Sequence, residues 1–260
     1  MAHTLGVVLK YDREIAVELF QKLCETEDAL LATHHVEKFL YYALPTHFQR
    51  LSKILERMLL SSLPDVVRTG ARQACLIALT REEARPFAER CISGTKEQRF
   101  GASQIFSANL LSAQFRSYCE NTLIRLFNDQ NEDVRTEAAT CFQGFKEKQF
   151  GDHISLAEAF IQSEAFKTKP RFFIEALKET TAKLPAITCN VCEHFVHVME
   201  SVPPDKRPDS LVTDTISQLL FRLYSQNNDE EMRARCLAMI DRMLYLNWYG
   251  VHNVLKLYER

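Results

Sequence analysis

An apolar stripe at helical spacing recurs four times along this chain, each time at the same offsets from an arginine. A small residue follows three positions after the arginine, and a cysteine or a large apolar residue follows seven positions after it. This spacing puts both residues on one face of a helix. The arginines lie 31 residues apart (68 to 99), then 36 (99 to 135), then 98 (135 to 233), which is about three intervals of ~33. A helical unit repeated at this period predicts an α-solenoid, in which each repeat packs mainly on its neighbours. The four sets are Arg68, Ala71 and Cys75; Arg99, Ala102 and Phe106; Arg135, Ala138 and Phe142; and Arg233, Cys236 and Ile240.

Composition favours the same class of fold. Only 7 Gly and 8 Pro occur among 260 residues, whereas 46% of the residues are hydrophobic, which disfavours a turn-rich β protein and supplies a core. We therefore expect an all-α protein of about seven antiparallel helix pairs that forms one domain over residues 1–260, with an irregular loop at 202–208. The helices predicted from the pattern span 14–24, 29–43, 47–60, 65–79, 82–92, 96–110, 115–127, 132–145, 154–162, 170–181, 187–199, 211–224, 229–244 and 251–259.

Several helix starts are signalled by capping residues. The capping-box spacing, in which a Thr and a Glu or Gln three residues later satisfy each other's amides, is found at Thr46, Thr80 and Thr95. Asn131 and Asn228 are predicted to cap the helices that follow them. These signals divide the chain into short helices joined by short loops.

Charge, hydrophobicity and cysteine content restrict the partners and the cellular compartment that we expect for the protein. The net charge is -2, whereas a nucleic-acid-binding domain usually carries a basic excess, so we expect no nucleic acid as partner. No apolar run approaches the ~18–20 residues of a membrane helix, and the first residues do not form a secretory signal. Several of the 8 cysteines fall in the apolar stripes, where a free thiol behaves as a small hydrophobe. We expect a reduced, cytoplasmic protein that does not associate with membranes.

Two segments carry a resemblance to known repeat proteins. Residues 63–71 (Leu-Pro-Asp-Val-Val-Arg-Thr-Gly-Ala) and 131–138 (Asn-Glu-Asp-Val-Arg-Thr-Glu-Ala) resemble the HEAT-repeat motif, which implies a HEAT/armadillo-like α-solenoid. Residues 35–43, 55–59, 70–75, 240–244 and 249–251 are similar to the helical C-terminal regions of large bacterial STAND-type P-loop NTPases. Many proteins of that group act in antiphage defence, with the repeats as sensor or scaffold, and the resemblance implies an N-terminal NTPase module as a partner.

The sequence contains no phosphate-binding loop, because no glycine is followed by lysine anywhere in it. We therefore expect no nucleotide cofactor and no catalysis. One cluster has metal-ligand chemistry: Cys189 and Cys192, followed by His194 and His197. All four fall within a predicted amphipathic helix, so we expect buried thiols and no metal, while a zinc site remains the alternative.

Five residues are candidates for binding a protein partner. Arg116 and Lys146 are predicted to lie on or near the second helices of the pairs, at 82–92, 115–127 and 154–162, which would form the concave face. Tyr245, Trp248 and Tyr249 surround the only tryptophan and are either a binding hot spot or the buried cap of the array. The repeated arginines are expected to brace the turn of their own repeat, with phosphate or carboxylate binding as the alternative.

These features predict a non-catalytic scaffold that senses or binds a protein partner and has no small-molecule substrate. The alternative is a HEAT-like nucleic-acid-binding protein, such as a helical DNA glycosylase, which would use a basic concave face. Duplex binding that weakens steeply with salt would distinguish the two.

Overall fold

A computed structural model describes the chain except for residues 1, 26, 146–148, 181–182, 204–209, 249–250, 252–255 and 257–260. The described residues form α-helices and short 3-10 helices and contain no strand, which confirms the all-α prediction. The chain separates into two compact units, Met1–Leu126 and Phe127–Arg260, each described here by itself. Most of the predicted loop at 202–208 and of the last predicted helix lies outside the described residues. The single continuous domain therefore stays a prediction.

The N-terminal unit is built from helices that pack on their neighbours in sequence. Contacts join α1 to α2, α2 to α3, α3 to α4, α4 to α5 and α6, and α6 to α7. Short 3-10 turns at Asp28–Ala32 and Glu82–Ala84 connect them. The helices are α1 (Ala2–Val8), α2 (Arg13–Cys24), α3 (His34–Leu59), α4 (Pro64–Ala78), α5 (Arg85–Ser93), α6 (Lys96–Asn109) and α7 (Arg116–Leu126).

The C-terminal unit has shorter helices in its first half and longer ones in its second half. Its α12 contacts α9, α13 and α14, and α13 also packs on α11. Further 3-10 turns lie at Thr140–Gly144 and Gln149–Asp152. The helices are α8 (Glu132–Ala139), α9 (Ile154–Ile161), α10 (Glu164–Thr168), α11 (Arg171–Glu179), α12 (Pro185–Glu200), α13 (Ser210–Gln226) and α14 (Glu230–Tyr245).

Some of the predicted helix caps are confirmed. Thr95 accepts a hydrogen bond from the Gln98 amide, and the Gln98 side chain accepts one from the Thr95 amide at 2.9 Å, which completes the capping box of α6. Asn131 caps α8 by accepting from the Asp133 amide. Pro64 stands in the first turn of α4, where its missing N–H leaves no intrahelical bond unmade.

Other predicted caps are wrong. Thr46 lies inside α3, where its hydroxyl donates to the Ala43 carbonyl, and Thr80 similarly donates back to the Ile77 carbonyl. Both hydroxyls therefore close the preceding helical turn, a local competition that the spacing rule does not detect. The cap of α14 is Asp229 and not Asn228, because the Asp229 carboxylate accepts from the Glu231 amide.

Helix α3 combines two of the predicted helices. Pro45 lies inside it and His47 has the non-helical torsions φ -124° and ψ 33°, so the helix is kinked there. Proline removes an intrahelical hydrogen bond and clashes with the preceding turn, which explains the kink. The prediction of two helical segments with a break near residues 43–47 is therefore confirmed, because α3 consists of two helices that meet at this kink.

Small residues bring the helices of the N-terminal unit close together. Ala71 and Ala102, the small members of two stripes, are fully buried, as predicted, and so is Ala138 in the C-terminal unit. A Cβ built on Gly101 would lie 2.7 Å from the Arg68 carbonyl oxygen and 2.9 Å from the Ala71 Cβ. Helices α4 and α6 therefore meet with their backbones almost in contact, which only glycine at this position permits.

The arginines of the stripes brace turns in two cases out of four. Arg99 donates to the Gly94 carbonyl at 2.5 Å and Arg135 to the Asp129 carbonyl at 2.7 Å, each in the turn before its own helix. Arg68 instead reaches α6, where its guanidinium binds Glu97 at 2.5 Å, and it lies 3.8 Å from the Asp65 carboxylate of its own helix. Arg233 donates to the Tyr224 hydroxyl and lies over its ring. The bracing role is therefore confirmed for Arg99 and Arg135 only.

Phenylalanine dominates the core of the C-terminal unit. The Phe142 ring lies 4.7 Å from that of Phe160 and 4.8 Å from that of Phe173, measured between centroids. Phe127 and Phe150 complete the cluster, and all five side chains are buried. Such rings bury much apolar surface, so they can tie the short helices α8–α11 together.

Candidate functional site

The residues predicted to bind a partner differ in exposure. Arg116 is the first residue of α7 in the N-terminal unit and is half-buried. Tyr245 is the last residue of α14, and its ring is exposed with the Arg242 guanidinium 5.9 Å from its centroid. Trp248 is buried. Lys146 and Tyr249 lie outside the described residues.

Trp248 packs into the core of the C-terminal unit. Its ring meets the Phe195 ring edge to face, with 5.7 Å between the centroids. An aromatic side chain buried in this way acts as packing within the C-terminal unit. Of the two aromatic residues of this group that the structure describes, Trp248 is buried, as the packing alternative predicts, and Tyr245 is exposed.

The Cys189–His197 segment forms part of α12, with its thiols turned to the core. Cys189 and Cys192 are buried, and a hydrogen bond with Cys236 of α14 raises the pKa of the Cys189 thiol. Burial raises the pKa of Cys192. Without a metal, both thiols therefore stay protonated at neutral pH. Among the residues that the structure describes, no group of three or more His, Cys, Asp or Glu side chains could hold a metal ion.

Two surface arginines of the N-terminal unit are paired with carboxylates of neighbouring helices. Arg90 of α5 donates to Glu56 of α3 at 3.3 Å, and Arg125 of α7 donates to Glu89 of α5 at 2.9 Å. We call these four residues the charge ladder. Because each guanidinium already has a carboxylate partner, this face offers little free positive charge for phosphates.

An apolar stripe lies exposed at the N-terminal end of the first unit. Ile15 and Leu19 stand one turn apart on α2 with 51% and 43% of their surface exposed, while the opposite face of α2 is buried. Val7 and Tyr11, just before them in sequence, are exposed as well. We call Ile15 and Leu19 the terminal stripe.

Three charged side chains beside Ile15 and Leu19 on α2 are paired within the chain. Glu14 accepts from Arg50 at 2.6 Å and lies 3.0 Å from the His47 ring nitrogen. Lys22 donates to Glu18 one turn away at 2.7 Å. The terminal stripe therefore presents apolar surface whose neighbouring charges have partners, which is the character of an interaction surface.

A groove of about 450 Å³ lies between α3 and α4, with Asn109 and Phe115 at its side. Tyr41 and Tyr42 at its edge are exposed, and their rings meet edge to face at 5.0 Å. The remaining wall is mostly aliphatic. We call it the α3–α4 groove, and its other lining residues are Leu40, Leu44, Pro45, Gln73, Leu76, Ile77, Leu79 and Thr80.

Gln73 is the anomaly of this groove. It is 3% exposed, and its amide oxygen has no hydrogen-bond partner among the described residues. Leaving a buried polar group unpaired costs about 1–3 kcal/mol of stability, so such groups are uncommon in folded proteins. A pocket that is mostly apolar and contains a few polar groups is the usual form of a ligand site.

Comparisons of the chain with protein-family models, with curated proteins and with solved structures found no match. Within the described parts of the chain, no helix combines the length and the apolar character needed to span a bilayer.

Neither the terminal stripe nor Gln73 was among the residues predicted as sites. A signal for the stripe does exist in the sequence, because α2 carries apolar residues on two faces, Ile15 and Leu19 on one and Ala16 and Phe20 on the other. Gln73 gives no such signal, since a glutamine on an amphipathic helix is ordinarily assigned to its solvent face.

Proposed function

We propose that this protein is a non-catalytic recognition scaffold of the HEAT/armadillo type that binds a helical segment of another protein. The terminal stripe is the observation that carries the proposal. Ile15 and Leu19 occupy the positions i and i+4 through which one amphipathic helix usually packs on another. The packing of each helix of the N-terminal unit on its neighbours in sequence supports a solenoid, in which an apolar face at the end accepts one more helical layer.

The partner is recognised mainly by apolar contact. The charges of Glu14, Glu18 and Lys22 are neutralised within the chain, so they add little attraction for a charged partner. Burying a large aliphatic side chain completely stabilises by about 1.5–3 kcal/mol, and roughly half of that is still available at Ile15 and Leu19. The resemblance to STAND-type NTPases makes an N-terminal NTPase module of antiphage defence the partner that we favour.

The test is site-specific photo-crosslinking in cells. A benzoylphenylalanine placed at Leu19 is expected to capture a helical segment of one partner, whereas the same residue at Leu60, an exposed leucine at the end of α3, serves as the matched control. Ile15→Lys should abolish capture at position 19 without lowering stability, because it changes an exposed side chain. Equal capture at Leu19 and Leu60 would show that crosslinking is non-specific and would contradict the proposal.

A second measurement tests the absence of catalysis. The purified chain should neither bind nor hydrolyse ATP, because it has no phosphate-binding loop. Turnover that follows the protein through successive purification steps would overturn the scaffold interpretation.

A further inference from the structure

The inference concerns a pocket of the C-terminal unit and does not depend on the terminal stripe. An open pocket of about 690 Å³ lies between the start of α12 and the end of α13. We call it the α12–α13 pocket. Its described lining contains cationic and neutral polar side chains and no carboxylate. These side chains are Thr180, Lys183, Thr188, Arg222, Gln226 and Asn227.

The charge of Arg222 has no carboxylate partner among the described residues. Its guanidinium donates to the Lys178 carbonyl at 2.9 Å and to the Leu177 carbonyl at 3.2 Å, in the last turn of α11. Both acceptors are neutral and a guanidinium has five N–H donors, so three donors and the positive charge remain for another partner. Arg235 of the same unit shows the contrasting case, because it binds the Glu193 carboxylate with two hydrogen bonds of 2.8 and 2.7 Å.

Lys183 brings a second cation to the same pocket. It is exposed, lies two residues before α12, and makes no hydrogen bond or ion pair with a described residue. Arg222 is half-buried, so a ligand in the pocket can reach both side chains. Two cations that line one pocket repel each other, and an anion bound between them removes that repulsion.

Neutral polar side chains add donors for the oxygen atoms of an anion. Gln226 is the last residue of α13 and is exposed, and Asn227 follows it. The Asn227 side-chain oxygen accepts from the Asp229 amide at 3.0 Å, which leaves the Asn227 NH2 group as a donor. Asp229 itself does not line the pocket, and its carboxylate caps α14.

We propose that the α12–α13 pocket binds a phosphomonoester through Arg222 and Lys183. A phosphomonoester carries a charge of about -1.5 to -2 at neutral pH, which matches two cations, and its three acceptor oxygens match guanidinium, ammonium and amide donors. A carboxylate has a single charge and would leave one of the cations unmatched. The volume of about 690 Å³ falls within the ~300–1,000 Å³ typical of ligand pockets, so there is room for the group that carries the phosphate.

Two probes of nearly equal shape test the proposal by isothermal titration calorimetry on the full chain. Phenyl phosphate is a dianion at about pH 8, whereas phenyl sulfate carries a single charge. Phenyl phosphate should bind about 3–10-fold more tightly, because its second charge has a second cation with which to interact. Equal affinity for the two compounds, or no binding of phenyl phosphate at millimolar concentration, would overturn the proposal.

Three variants locate the bound phosphate. Arg222→Gln should weaken phenyl phosphate binding about 10–100-fold, because a charge-assisted hydrogen bond is lost. Lys183→Gln changes an exposed side chain, so it should preserve stability and weaken binding about 2–5-fold. Lys169→Gln is the matched control and should bind as the wild type does, since Lys169 is an exposed lysine of the same unit outside the pocket lining.

Lys183→Gln decides the question if Arg222→Gln fails to fold without its contacts to α11. Unchanged binding in Lys183→Gln would contradict the proposal. An equal loss in Lys183→Gln and Lys169→Gln would contradict it as well, because it would show attraction by overall charge and not by the pocket.

Two further probes identify the source of the phosphate. A short phosphoserine peptide represents a modified segment of a protein, and ribose 5-phosphate represents a free phosphorylated compound. The tighter of the two assigns the source, and either order supports a phosphate site, whereas failure of both to bind would contradict it. The crosslinking experiment at Leu19 concerns the other unit, so the two proposals are tested independently.

Discussion

Replacing Gln73 by leucine should stabilise the protein, although it changes a buried residue in the middle of α4. The substitution keeps a similar size and helix propensity and removes an amide oxygen that has no hydrogen-bond partner among the described residues. Since an unpaired buried polar group costs about 1–3 kcal/mol, the free energy of unfolding of Gln73→Leu should rise by about that amount.

The matched control is the same substitution at Gln98. There the side chain makes two hydrogen bonds, with the Leu59 carbonyl and the Thr95 amide, and closes the capping box of α6. Gln98→Leu removes both bonds and leaves the buried carbonyl unpaired, so its free energy of unfolding should fall by about 1–3 kcal/mol. The same substitution should therefore raise the free energy of unfolding at Gln73 and lower it at Gln98.

The assay is urea unfolding followed by far-ultraviolet circular dichroism. Fluorescence is unsuitable, because the only tryptophan, Trp248, lies in the C-terminal unit and does not report on the N-terminal one. The midpoints should move in opposite directions at an unchanged slope, which shows that stability and not compactness has changed. A loss of more than about 1 kcal/mol in Gln73→Leu would refute the reasoning, because a typical hydrogen bond contributes about that much and its oxygen would then have a partner in solution.

Further predictions concern packing, metal and pH. Gly101→Ala should destabilise by about 1–3 kcal/mol, because its Cβ would meet backbone of α4 at 2.7 Å, and thermal unfolding measures this. Ala138→Leu should cost a similar ~1–3 kcal/mol, since Ala138 is fully buried, and unchanged melting would mean that the site has room. Elemental analysis should find no stoichiometric zinc, and Cys192→Ser should still unfold cooperatively. If the protein contained one zinc per chain and this variant lost it, Cys192 would be a zinc ligand and the assignment as a buried free thiol would be wrong. Burial lowers the pKa of His194 from its ordinary 6.5, so the folded protein binds this proton less readily than the unfolded chain does. The free energy of unfolding should therefore fall as the pH drops below 6.5. In His194→Gln the free energy of unfolding should change less over the same pH range.

The repeated stripe was sufficient to predict most helices, because it reflects burial that is the same in each repeat. It placed α4, α6 and α14 to within about two residues, which is the usual uncertainty of helix ends. It failed for α1 and α10, which have 7 and 5 residues and are too short to show a period. It also extended α8 too far, because the residues after Ala139 continue as the 3-10 helix Thr140–Gly144 and not as an α-helix.

The candidate sites could be predicted much less well. The sequence favoured aromatic residues and drew attention to Trp248, but the structure buries that ring against Phe195. The hydrogen bond that Gln73 fails to make depends on which groups α3 and α6 bring beside it, and a pattern along one helix contains no such information. Pairing of Arg90 and Arg125 with carboxylates from preceding helices is likewise a property of contacts between repeats.

The charge ladder gives α5 the same kind of contact with α3 and with α7. Helix α5 carries both the arginine that binds Glu56 of α3 and the glutamate that binds Arg125 of α7, at separations of 34 and 36 residues. Because about half of each of these side chains is exposed, the two pairs contribute little to stability, so they influence which helix faces meet and add little to how tightly the helices are held.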